Sequence, residues 1–339
     1  MQKLNVLVAG STGYIGIQLI KLLIRHKNVN IKYVCGSSSV GKKISSFDKS
    51  IKKKLPKITK FNKKYLSNVD IIFTALPHGE AQKISNFLLK KNTLIDLAAD
   101  FRLKKNSIYS KWYKKKHNSV KNIRKSVYAL PEFIGKKVKK FQIIGCPGCY
   151  PTSILLPVVP LIKNDIIDTK DIIIDSKSGY SGAGRSVHKK YKNNNLYETI
   201  SAYSVGYHRH NSEIEQELKN YTNKRLNFLF TPHLSPMFRG ILTTIYVTTK
   251  PGIGIKKVFH VIKKFHEKNS FISVRKGGSF LSTNEVINTN KCNILICATS
   301  NKNKVVILSC LDNLIKGGAG QAIQNMNIKF GFPIKRGLI

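Results

Sequence analysis

The stretch LNVLVAGSTGYIGIQLIKLLIRH, residues 4–26, decides the fold. Its first six residues are apolar except for Asn5, a pattern typical of a buried strand. The glycine-rich segment GSTGYIG follows, and the apolar spacing of residues 17–26 predicts an amphipathic helix. A strand, a tight glycine turn and a helix in this order form the first unit of a doubly wound α/β sheet.

The next segments repeat this alternation of strand and helix. Residues 31–36, 69–76 and 93–100 have strand patterns, and residues 80–91 have a helical one. Alternating strands and helices predict a parallel sheet with helices on both faces. We therefore expect a Rossmann-like first domain over residues 1–148.

The pattern changes after residue 148. Longer β-rich runs follow at 171–178, 225–234 and 240–249, with a predicted helix at 254–268. These runs indicate a mixed or antiparallel sheet in a second, α+β domain over residues 149–311. Residues 312–339 contain a helical segment rich in small residues, which we expect to pack back on the first domain.

Composition indicates the cellular compartment of the protein and the redox state of its cysteines. No apolar run approaches the ~18 residues that span a bilayer, and the N-terminal MQKLNVLVAG lacks a small-residue cleavage site. Six scattered cysteines without a signal sequence favour reduced thiols over a disulfide framework. We expect a cytoplasmic protein in which thiol chemistry is available.

The formal net charge is +42, which raises the alternative of a nucleic-acid-binding protein. However, 50 of the 59 basic residues are Lys, and they are spread along the chain with abundant Asn and Ile. Nucleic-acid readers more often concentrate charge on one face, use Arg and carry a recognisable motif. The densest run, residues 49–64, is interpreted as a solvated excursion. We expect only weak, salt-sensitive binding to polyanions.

The glycine turn predicts a nucleotide site. Its glycines permit a tight turn and close approach of the main chain, and the following helix start can hold a pyrophosphate. At the end of the second strand the sequence is Cys35-Gly-Ser-Ser-Ser39, followed by Lys42 and Lys43, without the carboxylate that would bind an NAD ribose. Hydroxyls and cations suit a 2′-phosphate, so NADP(H) is favoured. The candidate cofactor-binding residues are Gly10, Ser11, Thr12, Gly13, Tyr14, Ile15, Gly16, Ser37 and Ser38.

Two cysteines, Cys146 and Cys149, lie where an apolar run breaks and a helical run begins. A thiol at a helix start has its thiolate stabilised by the helix dipole, and Pro151 suits an early helical position. Cys149 is the thiol so placed, although Pro157 and Pro160 predict a short or kinked helix. Zinc would need further ligands, and the other cysteines form no second C-x-x-C, so we expect no metal. A thioredoxin-like pair is disfavoured because its first thiol normally occupies the helix end.

Motifs along nearly the whole chain resemble one family, the N-acetyl-γ-glutamyl-phosphate reductases of arginine biosynthesis. They are GSTGYIG (10–16), AADFRL (98–103), GCPGCYPT (145–152), SGYSGAGR (178–185), GYHRHNSEIEQEL (206–218), TPHLSPMFRGILTT (231–244) and DNLIKGGAGQAIQNMN (312–327). The related aspartate-semialdehyde dehydrogenases share the architecture but differ around the cysteine and histidine. An enzyme acting on aspartyl or aminoadipyl phosphate is the alternative.

The resemblance implies NADPH-dependent reduction of an acyl phosphate to a semialdehyde through a thioester on Cys149. His208 aligns with the family's catalytic histidine, and His210 is the fallback. The position of Cys146 often carries another residue in the family, which speaks against a required role for that thiol. Five other histidines are interpreted as surface residues: His26, His117, His188, His260 and His266.

Anionic groups on the substrate call for guanidinium groups. Arg102 resembles the phosphate-binding arginine of the related dehydrogenases, and Arg209 or Arg239 could bind the carboxylate, with an internal salt bridge as the alternative. Arg185 is a further candidate. Ser178, Gly182 and Asn313 are expected near the nicotinamide half of the cofactor. The family resemblance also implies a homo-oligomer, either a dimer or a tetramer.

Overall fold

The structure is a computed structural model that describes residues 3–185, 198–278 and 280–338. The chain forms two compact units, one of residues 1–148 with 318–339, and one of residues 149–317. The second crossing between the units thus lies between Gly317 and Gly318, whereas the sequence predicted a boundary after residue 311.

The first unit is built on a six-stranded parallel sheet. Its strands are β1 (Leu4–Ala9), β2 (Val29–Cys35), β3 (Ile71–Thr74), β4 (Thr93–Asp96), β5 (Ser126–Tyr128) and β6 (Ile143–Gly145). They lie in the order β2-β1-β3-β4-β6-β5, and every pair is parallel. The chain leaves β1 towards one edge and returns at β3 on the other side, which is the doubly wound topology. The predicted Rossmann-like class is confirmed.

Short helices connect these strands: α1 (Tyr14–Arg25), α2 (Glu80–Ser85), α3 (Asn106–Tyr113), α4 (Val120–Ile123) and α5 (Pro131–Ile134). The helix predicted over 80–91 ends at Ser85. There the Ser85 hydroxyl donates to the carbonyl of Gln82 and Asn122 donates to Ser85. Polar side chains that bond the main chain in this way compete with helix continuation.

The second unit is built on a seven-stranded mixed sheet. Its strands are β7 (Ile167–Gly179), β8 (Ser201–Ala202), β9 (Phe228–Ser235), β10 (Ile241–Thr249), β11 (Ile272–Lys276), β12 (Cys292–Ala298) and β13 (Lys304–Leu311). The order is β11-β12-β13-β10-β7-β9-β8, with two parallel pairs, β7/β9 and β11/β12. The predicted mixed or antiparallel sheet is therefore mixed.

Three described helices accompany this sheet: α6 (Cys149–Lys163), α7 (His210–Lys219) and α8 (Ile255–His266). The prolines Pro157 and Pro160 predicted a short or a kinked helix, and the prediction of a short helix is wrong, because α6 continues over 15 residues with both prolines inside it. Every residue from Tyr150 to Ile162 is buried. Burial of an almost entirely apolar helix outweighs the local cost of the prolines.

One face of this sheet carries exposed apolar side chains. In β7, Ile172 and Ile174 are buried whereas Ile173 is 41% exposed. Ile173 lies opposite Leu229 on one side and Tyr246 on the other, and Tyr246 lies opposite Val306. These four directly paired side chains form a row across β9, β7, β10 and β13, which we call the apolar row.

The C-terminal segment begins with a π-helical turn, Ile315–Ala319, and continues as α9 (Gly320–Phe330) in the first unit. Two polar side chains of α9 donate hydrogen bonds to main-chain carbonyls of the first unit. Gln321 donates to the carbonyl of Pro147, and Asn325 donates to the carbonyl of Ala129.

Three of the five histidines interpreted as surface residues are buried. His26 Nε2 lies 2.9 Å from Asn327 Oδ1, and the Nε2 atoms of His117 and His266 each lie 2.7 Å from a main-chain carbonyl oxygen. The surface interpretation is wrong for these three, because each ring finds a partner far away in the sequence. His260 is exposed, and His188 lies outside the described residues.

The basic run 49–64 is likewise not wholly solvated. Ile51 and Ile58 are 4% and 0% exposed, although the lysines between them are exposed. Among the described residues, no helix is long and apolar enough to cross a membrane.

Candidate active site

The glycine turn lies at the topological switch point of the first unit. Gly10 follows β1 with φ +82°, and a Cβ on it would lie 2.2 Å from the carbonyl oxygen of Ala75, just after β3. A Cβ on Gly16 would lie 2.1 Å from the carbonyl oxygen of Gly10. Both positions therefore require glycine, whereas a Cβ on Gly13 would make only an ordinary contact at 3.6 Å. Ligands of doubly wound folds bind at this point of the sheet.

A cavity of about 460 Å³ opens beside this turn. Gly10, Gly36, Ser37 and Lys60 are among its lining residues, whereas Lys42 and Lys43, both described, are not. Lys60 reaches it because Thr59 pairs with Cys35 at the end of β2. Sequence reasoning did not single out this lysine.

Ser11 has a structural role in the turn. The Ser11 hydroxyl is fully buried and donates to the carbonyl of Cys35, which ties the turn to β2. Helix α1 begins at Tyr14, directly after Gly13. A glycine cradle that a Cβ would fill, a helix start and a hydroxyl at the end of β2 together fit a dinucleotide with a 2′-phosphate.

Arg102 lies in a buried polar network of the first unit. Its Nε donates to the carbonyl of Cys146 at 2.7 Å, and its Nη2 donates to the carbonyl of Leu97 at 2.8 Å. In the same network Asp100 accepts from the main-chain N–H of Gly79, which fixes the turn between β3 and α2. Burial, together with the nearby Asp100 charge, raises the pKa of Asp96 to about 7. The AADFRL motif therefore holds neighbouring main-chain segments in place. Binding of phosphate by Arg102 stays a prediction.

The two cysteines of the GCPGCYPT motif have different environments. Cys149 is the first residue of α6, as the sequence predicted. Its side chain is half-buried. Gly317 packs against it, since a Cβ there would lie 2.6 Å from Cys149 Cβ. Cys146 is 1% exposed, and burial raises the pKa of its thiol to about 12. A thiol of that pKa is protonated at neutral pH, so Cys149 is the candidate nucleophile.

A cavity of about 340 Å³ in the second unit contains Cys149. It brings together side chains from α6, β7, β8, β9 and α7 that are up to 85 residues apart in sequence. Its lining residues are Cys149, Tyr150, Ser178, Gly179, Gly182, Ala183, Ser201, Ala202, Tyr203, His208, Arg209, His210 and Leu234.

His208 is held as a neutral imidazole. The main-chain N–H of His210 donates to its Nδ1 at 3.2 Å, so the neutral ring carries its proton on Nε2. Burial, reinforced by the charge of Arg209, lowers the pKa of His208 to about 4. Its ring packs edge-on against Tyr150, Tyr203 and Phe230 at centroid distances of 5.5 to 5.6 Å. This ring can donate a hydrogen bond from Nε2 but is a poor base at neutral pH.

His210 has a different partner. Its Nε2 lies 3.8 Å from Oε1 of Glu213, one turn further along α7, and the Glu213 side chain is fully buried. A carboxylate beside an imidazole stabilises its protonated form. The position of Glu213 makes His210, rather than His208, the candidate proton acceptor of the cavity.

Two tyrosines complete the wall of the cavity. The hydroxyls of Tyr150 and Tyr203 are 3.1 Å apart, and Tyr150 donates to the carbonyl of His233. Burial raises the pKa of Tyr203 to about 12, so its hydroxyl stays protonated. Sequence reasoning missed both, although Tyr150 directly follows the cysteine.

The side chain of Asn313 holds the serine- and glycine-rich loop, residues 178–184. The Oδ1 of Asn313 accepts from the main-chain N–H of Gly240, and its Nδ2 donates to the Ser181 hydroxyl. A Cβ on Gly182 would lie 3.3 Å from that Nδ2, so the loop packs closely on the amide. Asn313 thus positions the loop whose Ser178 and Gly182 line the cavity.

Arg239 has an internal partner. Its Nη1 lies 3.0 Å from Oδ2 of Asp312, whose side chain is fully buried, and it also donates to Asn288. This is the salt bridge that the sequence left open as an alternative to carboxylate binding. Of the predicted arginines in the second unit, Arg209 lines the cavity, whereas Arg239 and the exposed Arg185 are not part of its described lining.

The fold and these residues together define a class of enzyme. A family model described as "Semialdehyde dehydrogenase, NAD binding domain" matches residues 5–141, and one described as "Semialdehyde dehydrogenase, dimerisation domain" matches residues 149–313. Solved structures have the same fold. Aspartate semialdehyde dehydrogenase II from Vibrio cholerae superposes with a TM-score of 0.73 over 97% of this chain and 99% of that one, at 17% identity. Aspartate semialdehyde dehydrogenase from Candida albicans, solved with NADP, gives 0.68 over 96% and 98%, at 16% identity.

Sequence relatives narrow the class to one family. N-acetyl-gamma-glutamyl-phosphate reductase of Thermoanaerobacter sp. (strain X514) is 42% identical over 98% of this chain and 96% of its own length. The enzyme of the same name from Vesicomyosocius okutanii is 41% identical over 99% and 98%. The chain therefore belongs to the N-acetyl-γ-glutamyl-phosphate reductase family. The predicted resemblance is confirmed, as are the oxidoreductase class and the use of a nicotinamide cofactor.

Proposed function

We propose that this protein reduces N-acetyl-γ-glutamyl phosphate to N-acetylglutamate semialdehyde, with release of phosphate, as a step of arginine biosynthesis. One observation carries the proposal. Cys149 begins a helix and shares a cavity with two histidines and Arg209, which are the groups that acyl transfer to a thiol requires. A cytoplasmic location suits this reaction, because the thiol must stay reduced.

The thiolate of Cys149 attacks the γ-carbonyl carbon, and the C–O bond to phosphate breaks. The products of this step are a thioester and inorganic phosphate. Main-chain N–H groups at the start of α6 stabilise the oxyanion that forms on the carbonyl oxygen. NADPH, when bound by the first unit, would supply the hydride that reduces the thioester. The C–S bond then breaks, the aldehyde leaves, and the thiolate is regenerated.

The histidines divide the proton chemistry between them. The Nε2–H of His208 donates to the carbonyl oxygen of the substrate, because its Nδ1 is occupied by the N–H of His210. His210 accepts the thiol proton, since the Glu213 carboxylate stabilises its charged form. Arg209 offers a guanidinium group for an anionic end of the substrate.

NADP(H) is the cofactor, held by the Gly10–Gly16 turn and by the hydroxyls at the end of β2. Lys60, rather than Lys42, lines the cavity beside Ser37 and is the cation for the 2′-phosphate. Lys60→Ala should weaken binding of NADPH far more than binding of NADH. Lys57→Ala is the matched control, because Lys57 is exposed in the same run and is not among the cavity's described lining residues. A preference of the unmodified protein for NADH would contradict the 2′-phosphate assignment.

The decisive assay is the reverse reaction with phosphate and NADP⁺. N-acetylglutamate semialdehyde should support NADPH formation, and aspartate semialdehyde should support little. The opposite preference would favour the alternative, a dehydrogenase for a related acyl phosphate.

We also propose that the protein is a homo-oligomer formed through the open sheet face of the second unit. The apolar row exposes Leu229, Ile173 and Tyr246 by 62%, 41% and 43%. Contiguous apolar surface of this kind marks interaction sites in soluble proteins, and this unit matches the dimerisation-domain model. A two-fold contact through this face would bury the row against its own copy.

A further inference from the structure

The cavity around Cys149 is bordered by the outermost strand of the sheet in the described part of the chain. This strand, β8, contains only Ser201 and Ala202 and pairs antiparallel with β9. Ala202 lines the cavity together with Cys149 and His208. An edge strand presents main-chain N–H and C=O groups on its outer side, where an extended ligand can pair with them.

The register between β8 and β9 decides which residue of β8 has its main-chain N–H and C=O on the outer side. The N–H of Tyr203 donates to the carbonyl of Pro232 at 3.1 Å, so these two residues form a hydrogen-bonded pair. In antiparallel strands such pairs alternate with non-hydrogen-bonded pairs. Ala202 and His233, the next pair along, are therefore non-hydrogen-bonded. The N–H and C=O groups of Ala202 both point away from β9.

We propose that Ala202 binds the amino-acid end of the substrate as one added residue of this sheet, an inference that rests on the proposed function. An N-acyl amino acid carries its amide N–H and its α-carboxylate as a strand residue carries its N–H and C=O. The Ala202 carbonyl accepts from the substrate amide, and the Ala202 N–H donates to the carboxylate.

The size of the substrate fits this arrangement. The γ-carbonyl carbon is four single bonds of about 1.5 Å from the α-nitrogen. Because the bonds form a zigzag, the straight-line distance between these two atoms in an extended chain is roughly 5 Å. Cys149 and Ala202 line one cavity of about 340 Å³, so one substrate can reach both. The α-carboxylate then receives a main-chain N–H in addition to any guanidinium group.

Ala202→Pro tests the proposal, because proline removes the outward N–H and no bond of the β8–β9 ladder. Proline is tolerated at such edge positions. Ala202→Val keeps the N–H and is the matched control. The kcat/KM of the reverse reaction should fall about tenfold for N-acetylglutamate semialdehyde in the proline variant, as expected for one lost hydrogen bond to a charged group. The fall should be much smaller for butanal, which lacks both the amide and the carboxylate.

A second readout needs no turnover. N-acetyl-L-glutamate should protect Cys149 from iodoacetamide, and about tenfold more of it should be needed in the proline variant than in the valine variant. Equal losses for both aldehydes, or unchanged protection and kcat/KM, would overturn the role of Ala202. An unmodified enzyme that uses aspartate semialdehyde but not N-acetylglutamate semialdehyde would contradict the proposed function alone, and the same two variants would then test Ala202 with that substrate.

Discussion

The main-chain N–H of His210 donates to Nδ1 of His208 at 3.2 Å, and this bond separates the roles of two histidines that are adjacent in one cavity. It places the proton of neutral His208 on Nε2. His210 has its own partner, the buried carboxylate of Glu213. The cavity therefore holds one hydrogen-bond donor and one proton acceptor.

This division predicts different results for two substitutions at His208. His208→Asn should lower kcat by about 10² to 10⁴, the usual range for a lost catalytic proton donor. His208→Gln should retain more activity, because its amide N–H₂ extends to the position of Nε2. Steady-state kinetics of the two variants checks this, and equal losses would contradict a donor role for Nε2.

His210→Asn should lower kcat and remove one limb of its pH profile, because the proposed proton acceptor is lost. His208→Asn should leave the shape of the profile unchanged. If instead His208→Asn removes the limb, the assignment of donor and acceptor is reversed.

The neutral state of His208 also predicts a pH dependence of stability. Its pKa is about 4 in the folded protein and 6.5 in the unfolded chain, so the unfolded chain binds more protons between these values. The contribution of His208 is complete above about pH 6.5 and is lost progressively as the pH falls towards 4. Denaturant unfolding at several pH values should show a shallower decline for His208→Gln than for the unmodified protein.

The two cysteines should respond differently to serine. Cys149→Ser should abolish turnover while NADPH still binds, because a hydroxyl cannot form the thioester at neutral pH. Cys146→Ser should keep most activity, since its thiol is buried with a raised pKa. Activity and NADPH fluorescence titrations separate these effects, and comparable losses in both variants would indicate a dithiol mechanism.

Arg239 should contribute mainly to stability. Arg239→Ala should lower the free energy of unfolding by about 1.5–3 kcal/mol, because it removes a charged hydrogen bond from fully buried Asp312. Arg275→Ala is the control. It breaks the more exposed pair with Glu285 and should cost at most about 1 kcal/mol. A large rise in KM with unchanged stability would instead show that Arg239 binds the substrate carboxylate.

Ile173→Lys should dissociate the proposed oligomer, because it places a charge in the apolar row. Val120→Lys is the control, since Val120 is 48% exposed in the other unit. Sedimentation velocity of both variants measures the result. An unchanged oligomeric state in Ile173→Lys would place the interface elsewhere.

The short-range features of the site follow from the sequence by itself. Gly10 and Gly16 are recognisable because a strand, a turn and a helix occupy consecutive residues. The steric demand at Gly16 arises within that turn, from the carbonyl oxygen of Gly10, whereas the contact of Gly10 with Ala75 depends on the pairing of distant strands. Cys149 is recognisable as a thiol at a helix start for the same reason. The length of α6 is not, because burial of its apolar residues stabilises the helix despite the two prolines inside it.

Only the tertiary structure decides the long-range pairings. Lys60 reaches the cofactor cavity because Thr59 pairs with Cys35, and Arg239 is neutralised by Asp312, 73 residues further along. The protonation state of His208 depends on burial against aromatic rings from two distant segments, Tyr150 of α6 and Phe230 of β9, and against the neighbouring Tyr203. Turn chemistry and helix or strand period act over a few residues and can be read locally. Burial and ion pairing depend on which distant segments meet, and packing alone determines that.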